Sequence, residues 1–158
     1  MKILISPCLL GIRTRWDESC DEIEELINLV KSGQAVFLCP EQLGGLTTPR
    51  EPAETESGNT AKDVLQGDAK VLTITGKDVT KQFVVGAQRI SKFCQEMGVE
   101  MAILKSDSPS CGSKQTYDGS FTDTKIAGKG ITAELLEQKG IKVYNEKNFL
   151  ASGGISRS

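Results

Sequence analysis

Three short apolar runs in this chain end in the same way. Ile3-Leu4-Ile5 leads into Ser6-Pro7-Cys8, and Ala35-Val36-Phe37-Leu38 leads into Cys39-Pro40-Glu41. Val99-Glu100-Met101-Ala102-Ile103-Leu104 leads into Lys105-Ser106-Asp107-Ser108-Pro109-Ser110-Cys111-Gly112. A short apolar run bounded by turn residues reads as a strand buried inside an α/β protein. A proline close to each cysteine turns the chain sharply just beyond the strand. In open α/β sheets, ligands bind in the crevice past the carboxyl ends of the strands. The repetition predicts that Cys8, Cys39 and Cys111 are delivered to one edge of one sheet.

The segments between these runs read mainly as helices. Ile23, Leu26, Ile27 and Val30 form one face of a helix that ends near Lys31, with Ser19 or Asp21 as its cap and Gly33 as its stop. The longest helix is expected from Asp78 to Met97, capped by Asp78 or Thr80 and stopped by Gly98. A shorter one is expected from Thr132 to Gln138, followed by a last strand from Ile141 to Tyr144. Residues 40–70 are rich in Gly, Pro, Thr and Glu and read as a long irregular segment, part of it folded over the sheet edge as a lid. Lys70 to Thr75 reads as a short strand, and Tyr117-Asp118-Gly119 as a turn. Strands alternating with helices give an α/β fold class: a single domain with a mainly parallel sheet and flanking helices, Rossmann-like, with its site at the C-terminal edge of the strands. Residues 1–149 are expected to form that domain and residues 150–158 a frayed tail.

The chain has 158 residues and no histidine. That absence removes Ser-His-Asp and Cys-His pairs and any His-ligated metal. Acid–base work falls to carboxylates, Lys, Cys, Tyr or water. The five cysteines are an odd number with no secretory context, which favours reduced thiols and a cytoplasmic protein over a disulfide framework. A net charge of −2 gives no general attraction to nucleic acid or membrane. No apolar run approaches the roughly 20 residues that span a bilayer, and the N-terminus reads as a first strand and not as a signal peptide.

Three thiolates at one site suit two kinds of metal centre. One is a zinc ion with three cysteines and a water. The other is a 4Fe-4S cluster with three cysteine ligands, one fewer than such clusters normally have. The bland alternative is three small buried apolar residues. Cys94 falls on the apolar face of the long helix and reads as core. Cys20 lies among Asp17, Glu18, Asp21 and Glu22, which disfavour a thiolate. Glu41, two residues past Cys39, is the candidate proton-transfer group. Ser6, Lys105, Ser108 and Ser110 are candidates for positioning a polar substrate, although Ser-Pro-Ser is also a good turn in itself. Arg50, between Pro49 and Pro52, is a candidate anion-binding residue. Gly44-Gly45 is no phosphate loop, since no Gly-Lys-Ser/Thr follows.

At these residues the chain resembles the TudS family of thiouracil desulfidases. The resemblance is carried by Ser6-Pro7-Cys8-Leu9-Leu10-Gly11, Arg15-Trp16-Asp17, Cys39-Pro40-Glu41-Gln42-Leu43-Gly44-Gly45-Leu46, Thr48-Pro49-Arg50 and Pro52-Ala53-Glu54. It continues through Gly76 to Thr80, Gly86-Ala87, Leu104-Lys105, Ser108-Pro109-Ser110-Cys111-Gly112 and Tyr117-Asp118-Gly119, covering about residues 1–145. Trp16 stands where the family usually has Tyr, and Glu18 where it often has Gly. The resemblance implies an oxygen-sensitive 4Fe-4S cluster on Cys8, Cys39 and Cys111, with the substrate's sulfur on the unique iron. Water then attacks the ring carbon, and the sulfur leaves as hydrogen sulfide. The implied reaction is hydrolytic and non-redox: a 2- or 4-thiouracil becomes the oxo base. It also implies Glu41 as the proton-transfer group and Ser108 as a substrate-positioning hydroxyl. The mildly acidic chain favours a small thiolated base as partner over 4-thiouridine in a nucleoside or tRNA. A non-catalytic iron–sulfur or zinc protein is the remaining alternative.

Overall fold

The computed structural model of the chain describes residues 2–153. The three apolar runs form β1 (Lys2–Ile5), β2 (Ala35–Phe37) and β5 (Val99–Leu104), and β8 (Lys142–Asn145) completes their sheet. The strand order is β2-β1-β5-β8, and all neighbours are parallel. Parallel strands need crossover connections, and helices supply them on both faces. Ile3, Ile5 and Ile103 point to one face, where they pack with Leu26 of α1 (Glu24–Lys31) and Phe149 of α6 (Glu146–Ala151). Leu4, Ala102, Leu104 and Val143 point to the other, against Ile90 and Cys94 of α4 (Thr80–Met97) and Leu136 of α5 (Ile131–Gln138). Period-two alternation with both faces covered explains why Ile3, Leu4 and Ile5 are all fully buried.

Residues 40–70 are more ordered than their composition predicts. They hold α2 (Pro40–Leu43), β3 (Ala53–Thr55) and α3 (Ala61–Leu65), and β3 pairs antiparallel with β4 (Val71–Thr73). Tertiary packing decides this: Val64, Val71 and Val79 close a small core with Phe83 and Ala87 of α4. A second antiparallel pair, β6 (Gln115–Tyr117) with β7 (Lys125–Ala127), surrounds the expected Tyr117-Asp118-Gly119 turn. At the C-terminus, Leu150 and Ala151 belong to α6 and Ser152-Gly153 form a turn after it; residues 154–158 of the expected tail lie outside the described residues. The α1 cap also differs. Asp21 pairs with Arg15 at 2.6 Å instead of capping, and the helix starts later, after Ile23. The stop at Gly98 is as expected, with φ +69°.

The crossing of α2 over α4 is unusually close. A Cβ on Gly44 would lie 1.9 Å from Gln82 O, and a Cβ on Gly86 would lie 2.0 Å from Pro40 O. Only two facing glycines allow this approach, and it fixes the segment that follows Cys39. Gly86→Ala is therefore expected to destabilise the protein by about 3 kcal/mol, as overpacking against backbone does. That outweighs the roughly 1 kcal/mol gain in helix propensity. The check is the urea midpoint. Gly128→Ala is the control, since its Cβ would meet only Thr116 Oγ1 at 3.6 Å.

Candidate functional site

The sheet topology brings the three cysteines together. Cys8 lies in a 3-10 turn (Pro7–Leu9) past β1, Cys39 precedes α2 past β2, and Cys111 follows β5. Because β2, β1 and β5 are adjacent, all three reach the same edge. They line one cavity of about 540 Å³, which also exposes Ser6, Glu41, Arg50, Lys105 and Ser108. Cys8 and Cys111 are buried and Cys39 is half-buried. All five cysteines are free thiols.

Burial pushes the thiol pKa of Cys8, Cys39 and Cys111 upward, most strongly at Cys111. Cys39 and Cys8 raise Cys111 further, so the three lie within electrostatic reach of one another. Opposing effects act at each sulfur. The Arg15 guanidinium favours the Cys8 thiolate, the backbone N–H groups of Gln42 and Glu41 favour that of Cys39, and the Ser6 hydroxyl favours that of Cys111. Cys94 differs: it is fully buried in the α4 core, and burial alone pushes its thiol up to about 11. That matches its reading as packing. Cys20 does not line the cavity.

The polar residues divide by what their side chains already hold. Glu41 Oε1 accepts from Arg50 Nε at 3.1 Å, and no protein donor reaches Oε2 among the described residues. Arg50 also donates to Thr47 O (3.1 Å), Thr48 Oγ1 (2.9 Å) and Thr14 O (2.9 Å). One of its five N–H groups is left for a ligand, so its main contact is with Glu41. Ser108 Oγ accepts from Ser110 N and Cys111 N, both at 3.1 Å, and this bends the loop that carries Cys111. Ser6 Oγ accepts from Lys105 N at 3.0 Å and donates to Cys111 Sγ at 3.9 Å. The Lys105 ammonium is tied to Ser106 and to Glu146, the latter at 3.4 Å. Ser110 is the correction. It does not line the cavity; it is 1% exposed and its hydroxyl bonds Thr132 Oγ1 on α5 at 2.9 Å.

Several lining residues were not singled out from the sequence as site residues. Arg15 enters the sequence reading only as part of the Arg15-Trp16-Asp17 motif. Its Nη2 donates to Cys8 O at 3.3 Å, and its buried Nε has no protein partner. Tyr117, Phe121 and Lys125 come from the β6–β7 hairpin, and Glu54 from β3. Tyr117-Asp118-Gly119 reads locally as a turn and otherwise only as part of the resemblance, and nothing local marks Phe121.

The cavity suits a group that binds thiolates at several points. Among the described residues, no three His, Cys, Asp or Glu side chains converge tightly enough for a single metal ion. A three-Cys zinc site would draw its sulfurs to about 2.3 Å from one ion. A cluster instead gives each thiolate its own iron. The unpartnered Arg15 Nε next to Cys8 is the kind of buried donor that an anionic group would satisfy.

No helix among the described residues is long and apolar enough to cross a membrane. The chain is 46% identical over 147 residues to YbbK, an uncharacterized protein of Bacillus subtilis (strain 168), covering 93% of this chain and 97% of that one. A solved structure of a [4Fe-4S]-dependent thiouracil desulfidase, TudS, superposes with a TM-score of 0.84 at 39% identity, covering 95% of this chain and 93% of that one. A family model described as 2-thiouracil desulfurase matches residues 3–148, the sheet and the cysteine-lined cavity included, and the chain belongs to that family.

Proposed function

We propose that this protein removes sulfur from a free thiolated pyrimidine of the 2- or 4-thiouracil type, releasing the oxo base and hydrogen sulfide, with a 4Fe-4S cluster held by Cys8, Cys39 and Cys111. Family membership and the likeness to a [4Fe-4S]-dependent desulfidase support this. The observation that carries it is the convergence of three thiols from adjacent strand ends on one cavity beside Glu41. Five free thiols and an oxygen-sensitive group favour the reducing cytoplasm. Residues 1–149 would act as the catalytic domain.

When bound, the cluster supplies an iron without a protein ligand, a soft Lewis acid that makes a thiocarbonyl carbon more electrophilic. The rest falls to this chain. The net reaction adds water across the carbon–sulfur bond and needs two protons moved to sulfur, with no electrons gained or lost. Glu41 is the residue placed for this. Its Oε1 is anchored on Arg50, so Oε2 is free to take a proton from water and give it up again. Ser108 has its two acceptor positions filled by backbone N–H groups, which leaves its own O–H to donate to a polar ring atom. Ser6 and Lys105 hold the ends of β1 and β5 in place around Cys111. Lys105 places a positive charge at the cavity wall, and the last N–H of Arg50 is available to a ring carbonyl.

The deciding experiment is an iron and sulfide count on protein purified and reconstituted without oxygen, with thiouracil turnover followed as hydrogen sulfide. About four irons and four sulfides are expected. One zinc and no sulfide would overturn the assignment. Cys8→Ser, Cys39→Ser and Cys111→Ser should each lose iron and activity, while Cys94→Ser and Cys20→Ser keep both. Glu41→Gln should retain the full iron and sulfide content but lower kcat about 10²–10³-fold, the range for a lost acid–base group. Removing the iron with a chelator should abolish turnover, and anaerobic iron and sulfide should restore it.

A further inference from the structure

Phe121 lies at the tip of the β6–β7 hairpin. Its φ is +58°, in the left-handed region, as are those of Asp123 (+60°) on the same hairpin tip and Asp107 (+67°) on the loop before Cys111. A bulky aromatic residue in that region is a true backbone outlier. Such strain persists only where the surroundings over-determine it, and it clusters at functional sites.

The surroundings do so here. Glu54 of β3 is 8% exposed, and its Oε1 accepts from two amides of the hairpin tip: Gly119 N at 2.9 Å and Phe121 N at 3.3 Å. The tip is also packed down, since a Cβ at Gly119 would lie 2.6 Å from both Thr55 O and Ser57 N. Below it, Lys125 Nζ reaches Asp107 Oδ2 at 3.1 Å and ties the hairpin to the Cys111 loop. Phe121 and Tyr117 both line the cavity that holds the cysteines. The sheet edge contributes sulfur and charge to that cavity, and the hairpin contributes aromatic carbon.

A flat heterocycle with a sulfur substituent has polar edges and two apolar faces. Its edges are read by hydrogen bonds, and its faces are covered best by aromatic rings. We infer that Phe121 is a specificity-determining residue whose ring forms the wall against which the planar substrate packs, and that Glu54 is the positioning residue that holds it there. This rests on the thiolated-pyrimidine reading and deepens it. The ligand class is a planar six-membered heteroaromatic ring, so the product base packs on the same wall.

The test uses cluster-loaded wild type, Phe121→Ala, Phe121→Gly, Phe121→Tyr and Glu54→Gln. The readouts are KM and kcat for 2-thiouracil, uracil binding by calorimetry, thermal midpoint, and iron and sulfide content. Phe121→Ala should raise the KM for 2-thiouracil and the Kd for uracil about tenfold, with iron and sulfide unchanged. Phe121→Tyr should stay close to wild type, and Glu54→Gln should weaken binding in the same direction. Phe121→Gly should bind as poorly as Phe121→Ala yet melt higher, because glycine relieves the left-handed strain. A residue that only stabilises the tip would not separate binding from stability in this way. If wild type desulfurises thiouracil while Phe121→Ala and Phe121→Gly keep its KM and uracil affinity, the inference is overturned and the function stands. If wild type with its full cluster neither turns over thiouracil nor binds uracil, the functional reading fails and the inference falls with it.

Discussion

The site depends on the pairing of β1. This strand is hydrogen-bonded on both edges, to β2 on one side and β5 on the other, and its own connection leaves its carboxyl end towards β2. The chain goes one way from β1 to reach β2 and later returns on the other side as β5. That reversal of strand order opens a crevice at the sheet edge, where α/β proteins bind ligands. Ser6 lies at this reversal: its N–H donates to Ile103 O of β5, and its hydroxyl links Lys105 N to Cys111 Sγ. A register slip of one residue in β1 would exchange its two faces. Ile3 and Ile5 would then lose their helices, and Ser6 would lose Lys105 and Cys111. The packing that specifies the sheet therefore also specifies where the thiols point.

Charge at the site is handled by pairs. Five cations line the cavity, and four of them are bound to a carboxylate: Arg15 to Asp21, Arg50 to Glu41, Lys105 to Glu146 and Lys125 to Asp107. An isolated buried charge is costly, and a paired one is tolerated when its remaining donors are also used. Arg50 shows this most fully, with four N–H groups on protein acceptors and its side chain only 8% exposed. The pairing also fixes position. Each paired guanidinium or ammonium is held by its carboxylate in the cavity lining. A chain without histidine thus keeps positive charge close to three thiols and leaves one carboxylate oxygen, Glu41 Oε2, without a protein donor among the described residues.

The sequence revealed what is local and concealed what is not. β5 was legible to the residue because a mostly apolar run starts after Gly98, which has positive φ, and ends at a lysine. The three cysteines reach one cavity because each lies in the loop that follows such a run. Segment 40–70 was not legible, because α2 has four residues and β3 three, lengths at which propensity means little and packing against Phe83 decides. Ser110 was misplaced for a related reason. Ser108, Ser110 and Cys111 are neighbours in sequence, but a turn has no fixed period, and here it directs Ser110 to Thr132 and the other two to the cavity. The Glu54 contacts with Gly119 and Phe121 span more than sixty residues, a link that no local pattern shows.

The stretch that was hardest to read is also the one that gives the site its particular character. A parallel sheet edge supplies the three thiols, but it supplies neither the Glu41 carboxylate nor the aromatic Phe121. Both come from residues 40–79 and the hairpin they hold. α2 carries Glu41, and the loop after it carries Arg50; the close approach of Gly44 to Gly86 sets their position relative to Cys39. β3 carries Glu54, which fixes the hairpin tip from below. Glu41 and Glu54 work alike: each uses one carboxylate oxygen to hold a neighbouring element in place around the cavity. The small core around Val71 and Phe83 thus holds two glutamates in the lining of the thiol cavity, one bound to Arg50 and the other to the hairpin tip.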